Sequence, residues 1–309
     1  MSSRPVVLVA EPMMAQLLDV LGPHYEALPF WREEGRARAA DARAIVTASE
    51  LPIDAALLDS LPRLGLIAAF GAGYDNVDVA AARERGIAIS SGHGANAEDV
   101  ADHAIGLILA QRRGIAEGDR QLRAGHWTID ARMRTHSLSG ARLGIVGMGA
   151  IGMAIARRAE AMRMQVGWWG PRAKPELRWP RAASLEALAR ESDILVVAAQ
   201  ADESNRGMIS ARIVEALGPG GLLVNIARGQ LVDEEAVIAA LRDGRLGGAA
   251  LDVFDHEPTD PARWEGAPNC VLTPHIAGAT HEAVARMAEM LLANLAAYFA
   301  GEPLVSPVI

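Results

Sequence analysis

Near the middle of this chain an apolar strand runs directly into three glycines (residues 143–152, LGIVGMGAIG), and no other feature constrains the fold as much. Gly147 suits the tight turn out of the strand, Gly149 allows close backbone approach by a phosphate, and Gly152 lets the following helical run, AIARRAEAM, pack on the sheet. The start of that helix offers unpaired amides and the positive end of the helix dipole to an anion. A strand before, an amphipathic helix after and a second strand-like run at residues 164–169 make this a dinucleotide-binding βαβ pattern rather than an isolated glycine turn.

The alternation continues on both sides. Strand candidates at residues 6–10, 44–47, 66–70 and 87–90 are separated by helical stretches such as 55–61 and 79–85. After the glycines come strand candidates at 193–199, 221–226, 248–253 and 270–273, with helices between them such as 234–242. Such alternation argues for parallel sheets covered by helices on both faces. Two longer helical patterns, residues 98–113 and 280–300, flank the central block and predict one domain inserted into another.

Composition narrows the alternatives. The 309 residues suffice for two cores, and although half of them are hydrophobic, no uninterrupted apolar run approaches the roughly 20 residues of a membrane span. The stretch 291–299 is short and contains Asn294, and the chain passes from Arg4 straight into a strand without the apolar core of a signal peptide, so a cytoplasmic protein is expected. Cys270 is the single cysteine, which excludes an intrachain disulfide and a cysteine-built metal site and reads as a small apolar core residue. A formal charge of −8 argues against nucleic acid as the partner, but not against a small acid that a few arginines can clamp.

In open parallel sheets ligands bind beyond the carboxyl ends of the strands, so polar residues there carry most weight. GAGYDN follows the strand at 66–70, Arg228 the strand at 221–226, Glu257 the strand at 248–253 and His275 the strand at 270–273. A carboxylate, an imidazole and a guanidinium in these places form an acid–base and anion-clamp set. Singly, each has a plainer reading: Arg228 as a bridge between carboxylates, Glu257 as a loop residue, His275 as a satisfied core histidine. Of the other histidines, His93 reads as a loop residue, His103 as a helix residue near a cleft, and His126 and His281 as surface.

With these residues go GAGYDN (71–76), VADHAIG (100–106), GMGAIG (147–152), NIARGQLVDEEAV (225–237), ALDVFDHEP (250–258) and LTPHIAGAT (272–280), and in that order the chain resembles the D-isomer-specific 2-hydroxyacid dehydrogenase family over nearly its whole length. The resemblance implies an α/β architecture of two doubly wound parallel-sheet domains. A Rossmann nucleotide domain (99–275) is inserted into a flavodoxin-like substrate domain (1–98 and 276–309), with the active site in the cleft. It implies that Arg228 clamps the carboxylate and carbonyl of a 2-oxo acid, that His275 is the general acid, and that Glu257 orients His275 and raises its pKa. The amides of Ala72 and Gly73 would add a nest for the substrate carboxylate. Cofactor contacts are implied for Gly147, Gly149, Ala150, Ile151, Gly152, Trp169, Gly170, Arg172, Lys174, Asn205, Ile226, Ala227, Asp252, His275 and Gly278, with no metal in the scheme. One segment departs from the family, since many relatives carry a Pro-Leu-Thr run where this chain reads Gln200-Ala201-Asp202-Glu203-Ser204-Asn205; Asn205 keeps a hydrogen-bond donor there.

Cofactor choice follows from the second strand of the nucleotide unit. An NAD site places a carboxylate at that strand's end for the ribose hydroxyls. Here the chain reads Trp169, Gly170, Pro171, Arg172, Ala173, Lys174, with no carboxylate before Glu176, which favours NADP(H) unless the two cations are simply solvated. The expected function is NADPH-dependent reduction of a small 2-oxo acid, of glyoxylate, hydroxypyruvate or phenylpyruvate type, to the D-2-hydroxy acid. An NAD-linked D-2-hydroxyacid dehydrogenase and a nucleotide-sensing, corepressor-like binding protein stand as alternatives. Formate dehydrogenases of the family fit poorly, because their reaction needs no proton donor. The substrate side chain is expected against residues 46–51, Tyr74 and residues 132–134. A homodimer is expected to pack through residues 120–136, which include Trp127.

Overall fold

The structure, a computed structural model, describes residues 4–128 and 134–309. The chain divides into two compact units, Met1–Asn96 with His281–Ile309, and Ala97–Thr280. The first unit is built on a parallel sheet of β1 (Val6–Val9), β2 (Glu26–Pro29), β3 (Ala42–Thr47), β4 (Leu66–Ala69) and β5 (Ala88–Ser91), in the order β2-β1-β3-β4-β5. Strands such as VVLV and LIAA are apolar throughout because both sheet faces are covered. Alternate residues then go to opposite cores: Leu8, Ile45, Ile67 and Ile89 to one, Val7, Val9, Val46 and Ala68 to the other. The second of these cores receives Leu291 and Leu295 from the helix His281–Ala300. That helix has the length and mean hydropathy, 1.2, of a membrane span, yet its Asn294 is buried and satisfied by Met290 and Ser306, and its apolar stripe packs on the sheet as a core helix does.

β2 was not among the expected strands. Its sequence, EALP, lies on the sheet edge, is only partly buried and ends in proline, so it lacks the apolar run that marks its neighbours. The other strands fall within a residue or two of expectation.

The second unit carries a parallel sheet of β6 (Arg142–Val146), β7 (Gln165–Trp169), β8 (Ile194–Val197), β9 (Leu222–Asn225), β10 (Gly248–Leu251) and β11 (Cys270–Leu272), in the order β11-β10-β9-β8-β6-β7. Leu143, Ile145, Val196 and Val224 face a core shared with the helices Ala97–Arg112 and Ala150–Ala161, while Val146, Leu195, Val197 and Leu223 face the helices Ala211–Leu217 and Glu234–Arg242. Cys270 packs at the edge of the latter core, where burial pushes its thiol up to about 12. Both sheets are therefore α/β and doubly wound. In each, strand order reverses about the first strand, β1 between β2 and β3, and β6 between β7 and β8, which opens a crevice at the carboxyl ends of those strands.

Candidate active site

Three strand-end loops of the second unit converge. Beyond β9 the buried Asn225 side chain accepts from the Ala227 amide at 3.1 Å and donates to the Arg228 carbonyl at 3.0 Å, folding the loop back on itself. Arg228 is left extended and half-buried, with Nη1 donating to the Ala227 carbonyl at 2.7 Å. The next residue must be glycine: a Cβ on Gly229 would stand 1.8 Å from the Phe254 carbonyl carbon and 2.1 Å from the Asp255 nitrogen. This close approach sets the Arg228 loop against the loop that follows β10.

That second loop presents Glu257, whose Oε1 accepts the Phe254 amide at 2.9 Å and whose Oε2 lies 2.6 Å from His275 Nδ1. An ionised carboxylate can only accept, so Nδ1 carries the proton in this pair and Nε2 is the ring atom left to exchange one. The hydrogen bond to Glu257 holds the His275 pKa above the ordinary histidine value, against the opposing pull of burial and of the Arg228 charge. For Glu257, burial pushes the carboxyl up, but the His275 and Phe254 hydrogen bonds and the charges of His275 and Arg228 outweigh it and leave the group below the usual range. Arg228 thus acts electrostatically on both members of the pair. The His275 side chain is 47% exposed and that of Glu257 35%, open enough for a small molecule to reach the ring.

The third loop, after β11, holds His275 at φ +52, a left-handed conformation rare outside glycine. Its amide donates to the Asp252 carbonyl at 2.8 Å and to the Thr273 carbonyl at 3.0 Å. The fully buried Asp252 carboxylate then accepts from the Thr273 hydroxyl at 2.5 Å and from the amides of Ile276 and Ala277 at 3.0 and 2.9 Å. His103, on the helix Ala97–Arg112, adds Nε2 at 3.3 Å from the same carboxylate and 3.0 Å from the Thr273 hydroxyl. Asp252 was expected among the cofactor contacts; in the structure its buried carboxylate anchors the His275 turn through these protein donors. Neither His103 nor Thr273 was anticipated in this role.

The glycine-rich turn follows β6. A Cβ on Gly147, which has φ +93, would meet Ala199 Cα at 2.6 Å, and one on Gly152 would meet the Gly147 carbonyl at 2.2 Å. At Gly149 a Cβ would meet nothing within 4 Å, and the helix Ala150–Ala161 that starts there, with Ala150 and Ile151 half-buried, has no side-chain cap. Two glycines are demanded by packing; the third faces open space at uncapped amides, which fits the pyrophosphate of a dinucleotide.

At the end of β7, Trp169 is half-buried and Gly170 buried, and Arg172 is exposed and makes no hydrogen bond or ion pair among the described residues. Lys174 donates to the Met148 carbonyl of the glycine turn at 2.9 Å. Arg181, unforeseen, donates from Nη2 to the Gly170 carbonyl at 2.7 Å and lies over the Trp168 ring. Ile226 and Ala227 are buried behind Arg228, and Gly278 is half-buried after the His275 turn. Asn205 is committed to its own loop, with Nδ2 donating to the Gln200 carbonyl and Oδ1 accepting the Asp202 amide, both at 2.9 Å.

In the first unit Ala72 and Gly73 are half-buried, and their amides donate to no group among the described residues. Tyr74 packs on the apolar core. Of the segment expected against the substrate side chain, residues 132 and 133 lie outside the described residues and Arg134 is exposed.

The family profile described as "D-isomer specific 2-hydroxyacid dehydrogenase, NAD binding domain" matches residues 105–277. Hydroxyphenylpyruvate reductase of Plectranthus scutellarioides is 39% identical over 308 residues, covering 98% of each chain. The crystal structure of a 2-hydroxyacid dehydrogenase from Ketogulonicigenium vulgare superposes with a TM-score of 0.91 at 38% identity, over 99% of both chains. An NADPH-dependent glyoxylate/hydroxypyruvate reductase from Sinorhizobium meliloti, solved with NADP and malonate, also gives 0.91, at 34% identity over 99% of this chain and 97% of that one.

Proposed function

Because the chain belongs to the D-isomer specific 2-hydroxyacid dehydrogenase family, and is therefore an oxidoreductase, we propose that it reduces a small 2-oxo acid, of glyoxylate, hydroxypyruvate or phenylpyruvate type, to the D-2-hydroxy acid and prefers NADPH. The observation that carries this reading is the 2.6 Å Glu257–His275 pair under the charge of Arg228. A bound nicotinamide dinucleotide supplies hydride to the carbonyl carbon. The chain supplies the rest.

His275 gives the proton on Nε2 to the carbonyl oxygen, and Glu257 holds the ring in one orientation and stabilises its charged form. In the reverse direction the neutral ring is the base. The planar fork of Arg228 binds the substrate carboxylate and polarises the carbonyl, with the amides of Ala72 and Gly73 as a further carboxylate nest. The unit Ala97–Thr280 is the nucleotide domain in this reading. The open amides at Gly149, Ala150 and Ile151 take the pyrophosphate, and Ile226, Ala227 and Gly278 line the nicotinamide half. Arg172, beside Gly170 and without a partner among the described residues, takes the 2′-phosphate, while Lys174 braces the glycine turn. The reductase from S. meliloti, NADPH-dependent by name, supports the same preference.

The test is steady-state turnover of the purified chain with glyoxylate, hydroxypyruvate, phenylpyruvate and pyruvate, each with NADPH and NADH. Turnover of at least one acid with higher kcat/KM for NADPH is expected. Equal use of NADH would remove the cofactor assignment. Dinucleotide binding without turnover of any acid would favour a nucleotide-sensing binding protein over a reductase.

A further inference from the structure

We infer that Glu11 is a positioning residue for the substrate-binding loops of the first unit, an inference that rests on the 2-oxo acid reduction proposed above. Glu11 lies just beyond β1, and residues 47–51 run from the last residue of β3 into the loop after it, so the two sit at the reversal of strand order where open α/β sheets place their ligands. Glu11 is buried, 5% exposed, without a cationic partner among the described residues. Burying a carboxylate is costly unless donors replace its water. Here four donors do so.

Oε1 accepts the Thr47 hydroxyl at 2.7 Å and the amides of Leu51 and Glu50 at 3.0 and 3.2 Å, and Oε2 accepts the Ala48 amide at 3.0 Å. All come from a single five-residue segment. The Thr47 hydroxyl in turn accepts the Ser49 amide at 2.9 Å, and Ser49 is held at φ +65, a strained conformation for a residue with a side chain. That conformation has a consequence: the Ser49 hydroxyl donates to the Gly73 carbonyl at 3.2 Å, and the Asn76 amide group donates to the Ser49 carbonyl at 2.6 Å. Glu11 therefore fixes the 47–51 loop, and that loop grips both ends of the 73–76 segment, which begins at the Ala72 and Gly73 amides that donate to no group among the described residues.

A residue that merely stabilised the first unit would lower the melting temperature and affect turnover and cofactor binding alike. A positioning residue acts selectively. Glu11→Gln keeps the shape but sets an amide donor against the Ala48 N–H and removes the charge behind the other three bonds. It should raise KM for glyoxylate by about tenfold, as expected for loss of charge-assisted hydrogen bonds, with kcat within about threefold and dinucleotide Kd unchanged. Hydrogen exchange should quicken at residues 48–51 and 72–76. Ser49→Gly keeps the backbone conformation while cutting the link to Gly73, and should reproduce part of the KM effect at wild-type melting temperature. A folded Glu11→Gln enzyme with wild-type KM and exchange, beside an active wild type, overturns this inference alone. A cofactor affinity that weakens as much as KM also overturns it. A wild type that reduces no 2-oxo acid overturns the reductase reading and this inference together.

Discussion

In the proposed reaction His275 carries the proton transfer, and its neighbours set when it can act. His275→Ala should lower kcat by a factor on the order of 10² to 10⁴, as loss of a general acid does, with dinucleotide Kd unchanged in a fluorescence titration. Glu257 raises the His275 pKa, so the charged donor persists to higher pH than an isolated histidine would allow. Reduction needs the charged ring, so kcat/KM for the 2-oxo acid should fall as pH rises through that raised pKa, and the reverse oxidation should rise in the same window. Glu257→Gln removes the stabilising charge and should move both limbs to lower pH; profiles that stay in place would remove Glu257 from its role. Arg228, Glu257 and His275 were legible as a set because each ends a strand within a motif. The anchoring role of Asp252 and the place of His103 beside it were not, since their partners come from other elements and nothing local marks which oxygen or ring they meet.

The glycine turn shows how one element divides its residues between packing and ligand. Gly152→Ala drives a Cβ into the Gly147 carbonyl and should cost about 1–3 kcal/mol, read as a lower melting temperature. Gly149→Ala has room in the unliganded protein and φ −85, so its melting temperature should stay near wild type while dinucleotide affinity falls at least about tenfold, because the methyl occupies the space proposed for the pyrophosphate. If Gly149→Ala binds the cofactor normally, the open space there has another purpose. At the end of β7, Arg172→Ala should weaken NADPH by roughly tenfold to a hundredfold and leave NADH nearly unchanged, the usual worth of a guanidinium–phosphate contact. Equal weakening of both would assign Arg172 to the fold of the loop. Strand prediction failed at β2, an edge strand that buries too little to need an apolar run.

For the molecule as a whole, a homodimer is the expectation, and within the segment 120–136 expected at its interface Leu122 is 57% exposed and Trp127 73% exposed. The double variant Leu122→Glu, Trp127→Glu should sediment as a monomer where the parent sediments as a dimer; a monomeric parent would end that expectation. Residues 129–133, within the expected interface, lie outside the described residues. The βα alternation, the glycine turn and the residue types at the strand ends are written in the linear order of residues, because periodicity and turn chemistry are local and act within a few positions. Which partners those residues meet depends on long-range packing. Asp252 and Glu257 follow the same strand, yet Asp252 is sealed beneath the His275 turn by donors 21 to 25 residues away, while Glu257 faces the imidazole 18 residues on and stays open to solvent. Glu11 reads in sequence as an ordinary residue after a strand, and it takes the adjacency of β1 and β3 to bring four donors from a loop more than 35 residues away onto one buried carboxylate.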